Sequence, residues 1–353
     1  MRVFKKDRDL NEPVESVEFL VDASAMRVTA TEVHVRLDVF LASRLAWRAR
    51  SSIQELIRSG AVSVDASTPE HPRGRGTAEP ELRPGRRLAH GSRVIVVVPD
   101  DQPVRRIEAP STTEISVLYE DDDALVVDKP PLIPVHPSGR YLSDTLIQRV
   151  HAHFHYDRLH RDARPRLCHR LDRETSGLLL IGKTPVSHAE FMRQFEARET
   201  EKEYLAIVHG VVEEDSGRID LPIGPSRTSS VGLKMAVIAD GQEAVTEWNV
   251  VERHARCTLV ACRPFTGRQH QIRVHLDAIG HALVGDKLYG VDDSLFQRYA
   301  DDELTARDRE QLELPRHALH NHRLAFTSPT TGARLTVESP LAADLRQYLD
   351  SRG

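Results

Sequence analysis

No stretch of this sequence approaches the roughly 20 consecutive apolar residues that a membrane-spanning helix needs. Its longest apolar runs, such as Val94-Ile95-Val96-Val97-Val98, are strand-sized. Cysteine is scarce too: Cys168, Cys257 and Cys262 are odd in number and lack CxxC spacing, which argues against a disulfide framework and a zinc site. No apolar segment follows the charged start Met1-Arg2-Val3-Phe4-Lys5-Lys6, so a secretory leader is not expected. Neither sign of charge dominates, with 48 Lys+Arg against 53 Asp+Glu and a formal charge of -5. That balance, with 40% hydrophobic residues, fits a folded chain rather than a disordered one. At 353 residues, two domains are expected, in a cytoplasmic, membrane-free protein.

The near-neutral total hides a clustering of charge. Between residues 36 and 99, eleven arginines face six acids. Arg36, Arg44, Arg48, Arg50 and Arg58 fall on or near two short helices; a solvated surface is the bland alternative. In the first helix Leu37, Phe40, Leu41 and Leu45 recur at helical spacing. The second is capped by Ser51 or Ser52, with Gln54 or Glu55 three residues on, buries Ile53, Leu56 and Ile57, and stops at Gly60. Val62 and Val64 then read as a strand paired with 94–98 across a Pro/Gly/Arg-rich stretch at 69–85. Residues 1–30 read as an extension holding at most one strand, and 101–113, with Pro103 and Pro110, as a linker.

From residue 115 the pattern changes. A hairpin around Asp121-Asp122-Asp123 is followed by strands at 178–181, 204–208, 246–251 and 258–262 and by helices at 186–198 and 269–279. The irregular alternation predicts an α+β unit with a mixed or antiparallel sheet, not a doubly wound one.

Three segments there carry chemistry. Cys168-His169-Arg170-Leu171-Asp172-Arg173-Glu174-Thr175 turns at Ser176-Gly177 into an apolar strand, which presents Arg170 and Asp172 at a sheet edge. Ordinary turn chemistry would explain the same residues. Tyr204 shares a strand face with Ala206 and Val208 and, taken alone, reads as a core tyrosine with its hydroxyl satisfied. In Thr266-Gly267-Arg268-Gln269-His270-Gln271-Ile272-Arg273, Thr266 and Gln269 can close a capping box, so a helix is expected to start near Gly267. Such an N-terminus beside Arg268 suits an anion. Arg158, Arg161, Arg164, Arg166 and Arg170 form a basic run suited to phosphates. His151-Ala152-His153-Phe154-His155 has a metal-like spacing only on a strand, since a helix puts residues two apart on different faces. No metal and no organic cofactor are expected.

Two resemblances follow from these residues. Arg36-Leu37-Asp38-x-Phe40-Leu41, then Ser51-x-Ile53-Gln54-x-Leu56-Ile57-x-x-Gly60-x-Val62-x-Val64, resembles the S4 RNA-binding module, with Asp65-Ala66-Ser67 where that module has an Asn-Gly turn. The remainder resembles the RluA family of RNA pseudouridine synthases from about residue 115 to 349. The match runs through Asp128-Lys129-Pro130, His136-Pro137, His169-Arg170-Leu171-Asp172 and Lys202-x-Tyr204. It continues through Thr266-Gly267-Arg268, His270-Gln271-Ile272-Arg273-Val274-His275, Gly285-Asp286-x-x-Tyr289-Gly290 and His317-Ala318-Leu319-His320. Gln269 stands where the family often has Thr or Ser.

The resemblance implies an α+β pseudouridine synthase fold with a mixed, mainly antiparallel sheet, preceded by a small S4-like α/β RNA-binding domain. The expected boundaries are 1–30 extension, 31–100 S4-like domain, 101–113 linker and 114–353 catalytic domain. It implies isomerisation of uridine in structured RNA, 23S rRNA first and tRNA second, by base flipping. Asp172 would be the catalytic carboxylate, Arg273 its partner and Tyr204 the ring beneath the uracil. Arg170 would fill the vacated stack, and His169, Arg268, Arg48, Arg50 and Arg58 would join it in RNA binding. A monomer is expected, and the acidic stretch 292–313 is expected to be an exposed insertion facing away from RNA. The alternatives are a non-catalytic RNA-binding or ribosome-assembly factor on the same scaffold, or an Asp-dependent hydrolase.

Overall fold

The computed structural model describes residues 16–23, 29, 33–44, 50–72, 74–97, 115–136, 145–154 and 165–352. The chain divides near residue 106 into two compact units.

The first unit contains β1 (Ser16–Leu20), β2 (Val35–Arg36), α1 (Leu37–Arg44), α2 (Arg50–Arg58), β3 (Val62–Asp65), β4 (Glu79–Pro80), β5 (Arg87–Leu88) and β6 (Arg93–Val97). Four strands form a sheet in the order β1-β6-β3-β4. Leu37, Phe40 and Leu41 of α1 and Ile53, Leu56 and Ile57 of α2 close one core with Phe19, Val62 and Val94, so the stripes legible in the sequence are the buried faces. Gly60, at φ +82°, ends the α2 turn in the left-handed region. β3 pairs with β6 antiparallel, Val62 opposite Val96. β1, read from sequence as part of an extension, is hydrogen-bonded along β6 from Ser16 opposite Val97 to Leu20 opposite Arg93. Where an Asn-Gly turn is missing after β3, the Asp65 carboxylate accepts the backbone N–H groups of Arg75 (2.8 Å) and Gly76 (2.9 Å). A carboxylate thus closes the longer inserted loop that a two-residue turn could not.

The second unit contains β7 (Ser116–Glu120), β8 (Ala124–Lys129), α3 (Leu146–His153), β9 (Arg166–Leu167), β10 (Ser176–Gly182), α4 (Pro185–Glu196), β11 (Glu201–His209) and β12 (Ser216–Asp220). There follow β13 (Ile223–Pro225), β14 (Met235–Val237), β15 (Val245–Arg253), β16 (Cys257–Pro264), α5 (Gln271–Ala278), α6 (Asp293–Ala300), α7 (Ala306–Leu312), β17 (Leu319–Thr327), β18 (Arg334–Glu338) and α8 (Ala343–Asp350). Ten strands form one sheet with the path β12-β15-β16-β11-β17-β10-β8-β7, to which β18 adds on β17 and β9 on β10. Its pairings are antiparallel except β10 with β17, so the sheet is mixed and mainly antiparallel and the class is α+β.

Two segments differ from their sequence reading. His151 and His153 lie on α3, and His151 is buried with Nε2 3.1 Å from the Pro165 carbonyl; His155 lies outside the described residues. Residues 292–313 fold into α6 and α7; Asp301, Asp302, Glu303 and Glu310 are exposed there as expected, but buried Asp308 accepts both Nε (2.9 Å) and Nη2 (2.6 Å) of Arg298. That ion pair is internal to the segment, which composition alone does not reveal.

The parallel junction explains Gly177. Its φ is +106°, and a Cβ there would lie 2.3 Å from the Asn321 carbonyl oxygen on β17. Gly177→Ala is therefore expected to destabilise the protein by about 2–4 kcal/mol. Denaturant unfolding checks it, and an unchanged midpoint would contradict this account of the junction.

Candidate active site

β10 is buried along its whole length, so the polar loop before it stands on a rigid floor. Lys129, at the end of β8 and fully buried, clamps that loop. Its Nζ donates to the carbonyls of Pro130 (2.9 Å), Ile133 (3.0 Å) and Arg173 (3.0 Å). Burial pushes this lysine well below its usual range, with Arg316 and Arg173 adding to the effect. The Thr175 N–H to Asp172 carbonyl bond (3.1 Å) closes the turn. His169 anchors the other side: its Nε2 accepts the Leu180 N–H at 3.0 Å, and its ring packs on Phe195 with centroids 5.0 Å apart.

Arg273, on α5, meets Asp172 across this loop. Its Nε and Nη2 donate to Asp286 Oδ2 (2.7 Å) and Oδ1 (2.8 Å), while Nη1 donates to Asp172 Oδ2 (3.0 Å). Asp286 is itself fixed by the N–H groups of Leu288 (2.9 Å) and Tyr289 (3.2 Å). The Tyr289 ring lies 5.0 Å from the guanidinium carbon. Asp286 is completely buried, but the Asp172 side chain keeps 24% exposure. The same cation thus holds one carboxylate shut away and another open.

Burial alone would raise the Asp172 carboxyl; His270, Arg273, His317 and Arg170, all positive at the acidic pH where a carboxyl titrates, outweigh that and hold it well below the usual carboxylate range. Burial also pushes His270 down to about 4 and His317 to about 3, so both imidazoles are uncharged at neutral pH. The charge that keeps Asp172 ionised there is that of Arg273, with Arg170 adding to it.

Tyr204 is buried on β11 beside Leu171 and Ile272. No hydrogen-bond partner for its hydroxyl occurs among the described residues, contrary to the reading of a satisfied core tyrosine. Burial and then the Asp172 charge raise its ionisation above the ordinary tyrosine value. A cleft of about 900 Å³ is lined by Arg170, Asp172, Tyr204, Arg268, His270 and Arg273 among others. Arg170 is exposed at that cleft, and Arg268 donates Nε to the Glu243 carbonyl (2.9 Å).

The capping box expected from Thr266 and Gln269 is not formed. Instead Gln271 Oε1 accepts from Thr266 Oγ1 (2.6 Å) and the Arg268 N–H (3.0 Å), and α5 starts at Gln271 after His270 in the left-handed region. The longer loop folds on a glutamine two residues further along.

The chain matches the family model described as "RNA pseudouridylate synthase" over residues 123–278. It is 33% identical over 327 residues to the uncharacterized RNA pseudouridine synthase YlyB of Bacillus subtilis, covering 92% of this chain and 97% of that one. The ribosomal large subunit pseudouridine synthase D of Nitrosomonas europaea is 35% identical, with coverage of 90% and 84%. This chain belongs to the RNA pseudouridine synthase family. The fold agrees: human RNA pseudouridylate synthase domain containing 1 superposes with a TM-score of 0.53 at 26% identity, covering 68% of this chain and 89% of that one.

Of the residues singled out in sequence, this synthase brings Arg170, Asp172, Tyr204, Arg268 and Arg273 to one cleft. His169 also lines it, with Nε2 turned to the backbone. Arg58 is exposed on α2, Arg48 lies outside the described residues, and so does the Arg50 side chain. Arg158, Arg161 and Arg164 of the basic run are likewise outside them. Among the described residues, no group of His, Cys, Asp and Glu is placed to hold a metal, and no helix is long and apolar enough to cross a membrane.

Sequence reasoning quoted Asp286, Tyr289 and His270 inside motifs but gave them no role, and it missed Glu174 as a hub. Glu174 accepts from Lys287 Nζ (2.8 Å), Tyr299 Oη (2.7 Å) and the His317 N–H (3.0 Å). A signal existed: Asp286 and Lys287 interrupt the apolar run from Ala282 to Tyr289, where buried charges require partners.

Two expectations follow. Asp286→Ala leaves a buried guanidinium half-paired and should cost about 3–5 kcal/mol in unfolding free energy. Stability should also fall with acidification in two stages. His169, His270 and His317, held low by burial, stay neutral in the fold, while the unfolded chain binds protons below about pH 6.5. Asp172, Glu174 and Asp286 resist protonation in the fold, so their contribution, full above about pH 4, is lost below it. In His317→Gln the slope of unfolding free energy between about pH 6 and 4 should be shallower by about 1.4 kcal/mol per pH unit. An identical slope would refute that assignment.

Proposed function

We propose that this synthase isomerises specific uridines in large-subunit rRNA, with Asp172 as the catalytic carboxylate. One observation carries the reading: an ionised carboxylate, held at one oxygen by Arg273, faces a cleft of nucleotide size beside a tyrosine whose hydroxyl has no described protein partner. Relatives named ribosomal large subunit pseudouridine synthase D, at 33–35% identity over most of the chain, support rRNA as the substrate.

The target uridine leaves its stack to reach the cleft, at a cost of a few kcal/mol. Arg170, exposed at the cleft, fills the gap, because a guanidinium stacks on bases and pairs with phosphate at once. Arg268 lies near enough to meet the adjoining backbone, and His169 holds the loop in place. The N1–C1′ bond breaks, the uracil turns, and C5 bonds to C1′; C5 loses its proton and N1 gains one, so the product is an isomer. Asp172 serves as nucleophile towards C1′ or the ring, or as base at C2′. Tyr204 stacks beneath the base. Its raised ionisation makes it a poor phenolate, so its hydroxyl acts by relaying the C5 proton through water.

Residues 31–100 serve as an S4-like RNA-binding module, with Arg48, Arg50 and Arg58 towards phosphates, joined by a 101–113 linker to a catalytic domain at 114–353. Pairing of β1 with β6 extends that module to Ser16. The protein works as a cytoplasmic monomer without a metal or organic cofactor.

Mapping pseudouridine in total RNA from cells with and without the protein tests the substrate. Sites lost from 23S rRNA are expected; sites lost only from tRNA would redirect the reading, and none lost would favour a ribosome-assembly factor. Asp172→Asn should lower turnover by roughly 10²–10⁴-fold and leave RNA affinity within a few-fold. Arg273 stays anchored by Asp286, so the variant keeps its fold. Undiminished turnover would refute the role of Asp172.

A further inference from the structure

His270 touches no substrate in the account above, yet both its backbone and its ring are constrained at the cleft. Its backbone sits at φ 57° and ψ 19°, a left-handed conformation that a side-chain-bearing residue rarely adopts. Such strain persists only where the surroundings impose it, and it collects at functional sites. The ring is set by a relay. Tyr289 Oη accepts the Met235 N–H at 3.1 Å, and its own proton reaches His270 Nδ1 at 2.9 Å. We assign Nδ1 as the acceptor and the hydrogen to Nε2, because the Asp172 carboxylate lies on the Nε2 side.

That nitrogen lies 3.9 Å from Asp172 Oδ2, too far for a direct hydrogen bond. An oxygen seated to one side of the line between them can lie within hydrogen-bonding distance of both. Such an oxygen accepts from an N–H and donates to a carboxylate, so it is that of a water or of a substrate hydroxyl that displaces the water. Uracil O2 and O4 and phosphate oxygens only accept, and within an RNA chain the 3′ and 5′ oxygens are esterified. The hydroxyl an internal nucleotide offers is the one at C2′. We infer that His270 and Asp172 together bind the ribose 2′-hydroxyl of the target nucleotide, with His270 Nε2–H as donor and Asp172 Oδ2 as acceptor. The inference rests on the uridine-isomerising reading of the same cleft. It makes this pair a point at which the synthase tells RNA from DNA.

Burial, which keeps the imidazole uncharged at neutral pH, agrees with this role, because a charged ring would pair with Asp172 directly. His270→Gly removes the ring and suits a positive φ, so the variant is expected to fold; its melting temperature checks that.

The test measures Kd for an RNA hairpin carrying the mapped uridine and for the same hairpin with 2′-deoxyuridine there, using full-length wild type and His270→Gly. Each change alone should weaken binding about three- to tenfold. Both together should cost no more than the larger single effect, because they remove one contact. Penalties that multiply, or either single change without effect, would overturn the inference. Tyr289→Phe, which frees Nδ1 to take the hydrogen, should also reduce the preference for the 2′-hydroxyl; a preference equal to wild type would count against the relay. Wild type that forms no pseudouridine in the hairpin would bring down the uridine-isomerising reading itself, whereas conversion with multiplying penalties brings down the 2′-hydroxyl contact alone.

Discussion

Everything at this site depends on one guanidinium with two obligations. Arg273 spends Nε and Nη2 on Asp286 and keeps Nη1 for Asp172. Only a planar fork of several fixed donors can do this; a lysine ammonium, a point charge on a flexible stem, would hold one carboxylate or wander between them. The bidentate bond to a fully buried partner fixes the cation, and the fixed cation fixes the position and charge of the exposed partner. Asp286 therefore bears on Asp172 through Arg273 without lining the cleft.

Support for the arrangement comes from below and behind. Lys129 ties the Asp172 loop to the end of β8 through the Arg173 carbonyl, while its bonds to Pro130 and Ile133 hold the turn that follows β8. Glu174, two residues beyond Asp172, joins that loop to Lys287, to the His317 backbone and, through Tyr299, to helix α6. The Lys129–Arg173 contact and those of Glu174 cross long sequence separations. A displacement of the loop would break several charged hydrogen bonds at once, which is how a loop residue gains the precision of a residue on a strand.

Much of this was legible from sequence where chemistry is local. The stripes Leu37, Phe40, Leu41 and Ile53, Leu56, Ile57 gave the helix faces of the first unit, because burial follows a 3.6-residue period. Arg170, Asp172 and Tyr204 emerged from the motifs His169-Arg170-Leu171-Asp172 and Lys202-x-Tyr204 that carry the family resemblance; taken alone, their local patterns read as turn chemistry and a core tyrosine. What stayed hidden is non-local. Nothing near Tyr204 tells that its hydroxyl lacks a partner, and nothing near residues 292–313 tells that Asp308 meets Arg298 or that Tyr299 meets Glu174. The helix start at Gln271 was misplaced because two glutamines compete for Thr266, and the three-dimensional path of the loop favours the second.

The balance of charge in the pocket bears on the chemistry as much as its geometry does. Asp172, Glu174 and Asp286 face Arg273, Lys287 and Arg173, while His270 and His317 remain uncharged. Each buried ion here would be prohibitive alone and is tolerable because a partner lies within hydrogen-bonding distance. The sum leaves this buried layer close to electrically neutral, with one oxygen of Asp172 unclaimed by Arg273. Bond rearrangement at C1′ needs bulk water kept from that carbon, because a water molecule in the place of C5 would give free uracil and not an isomer.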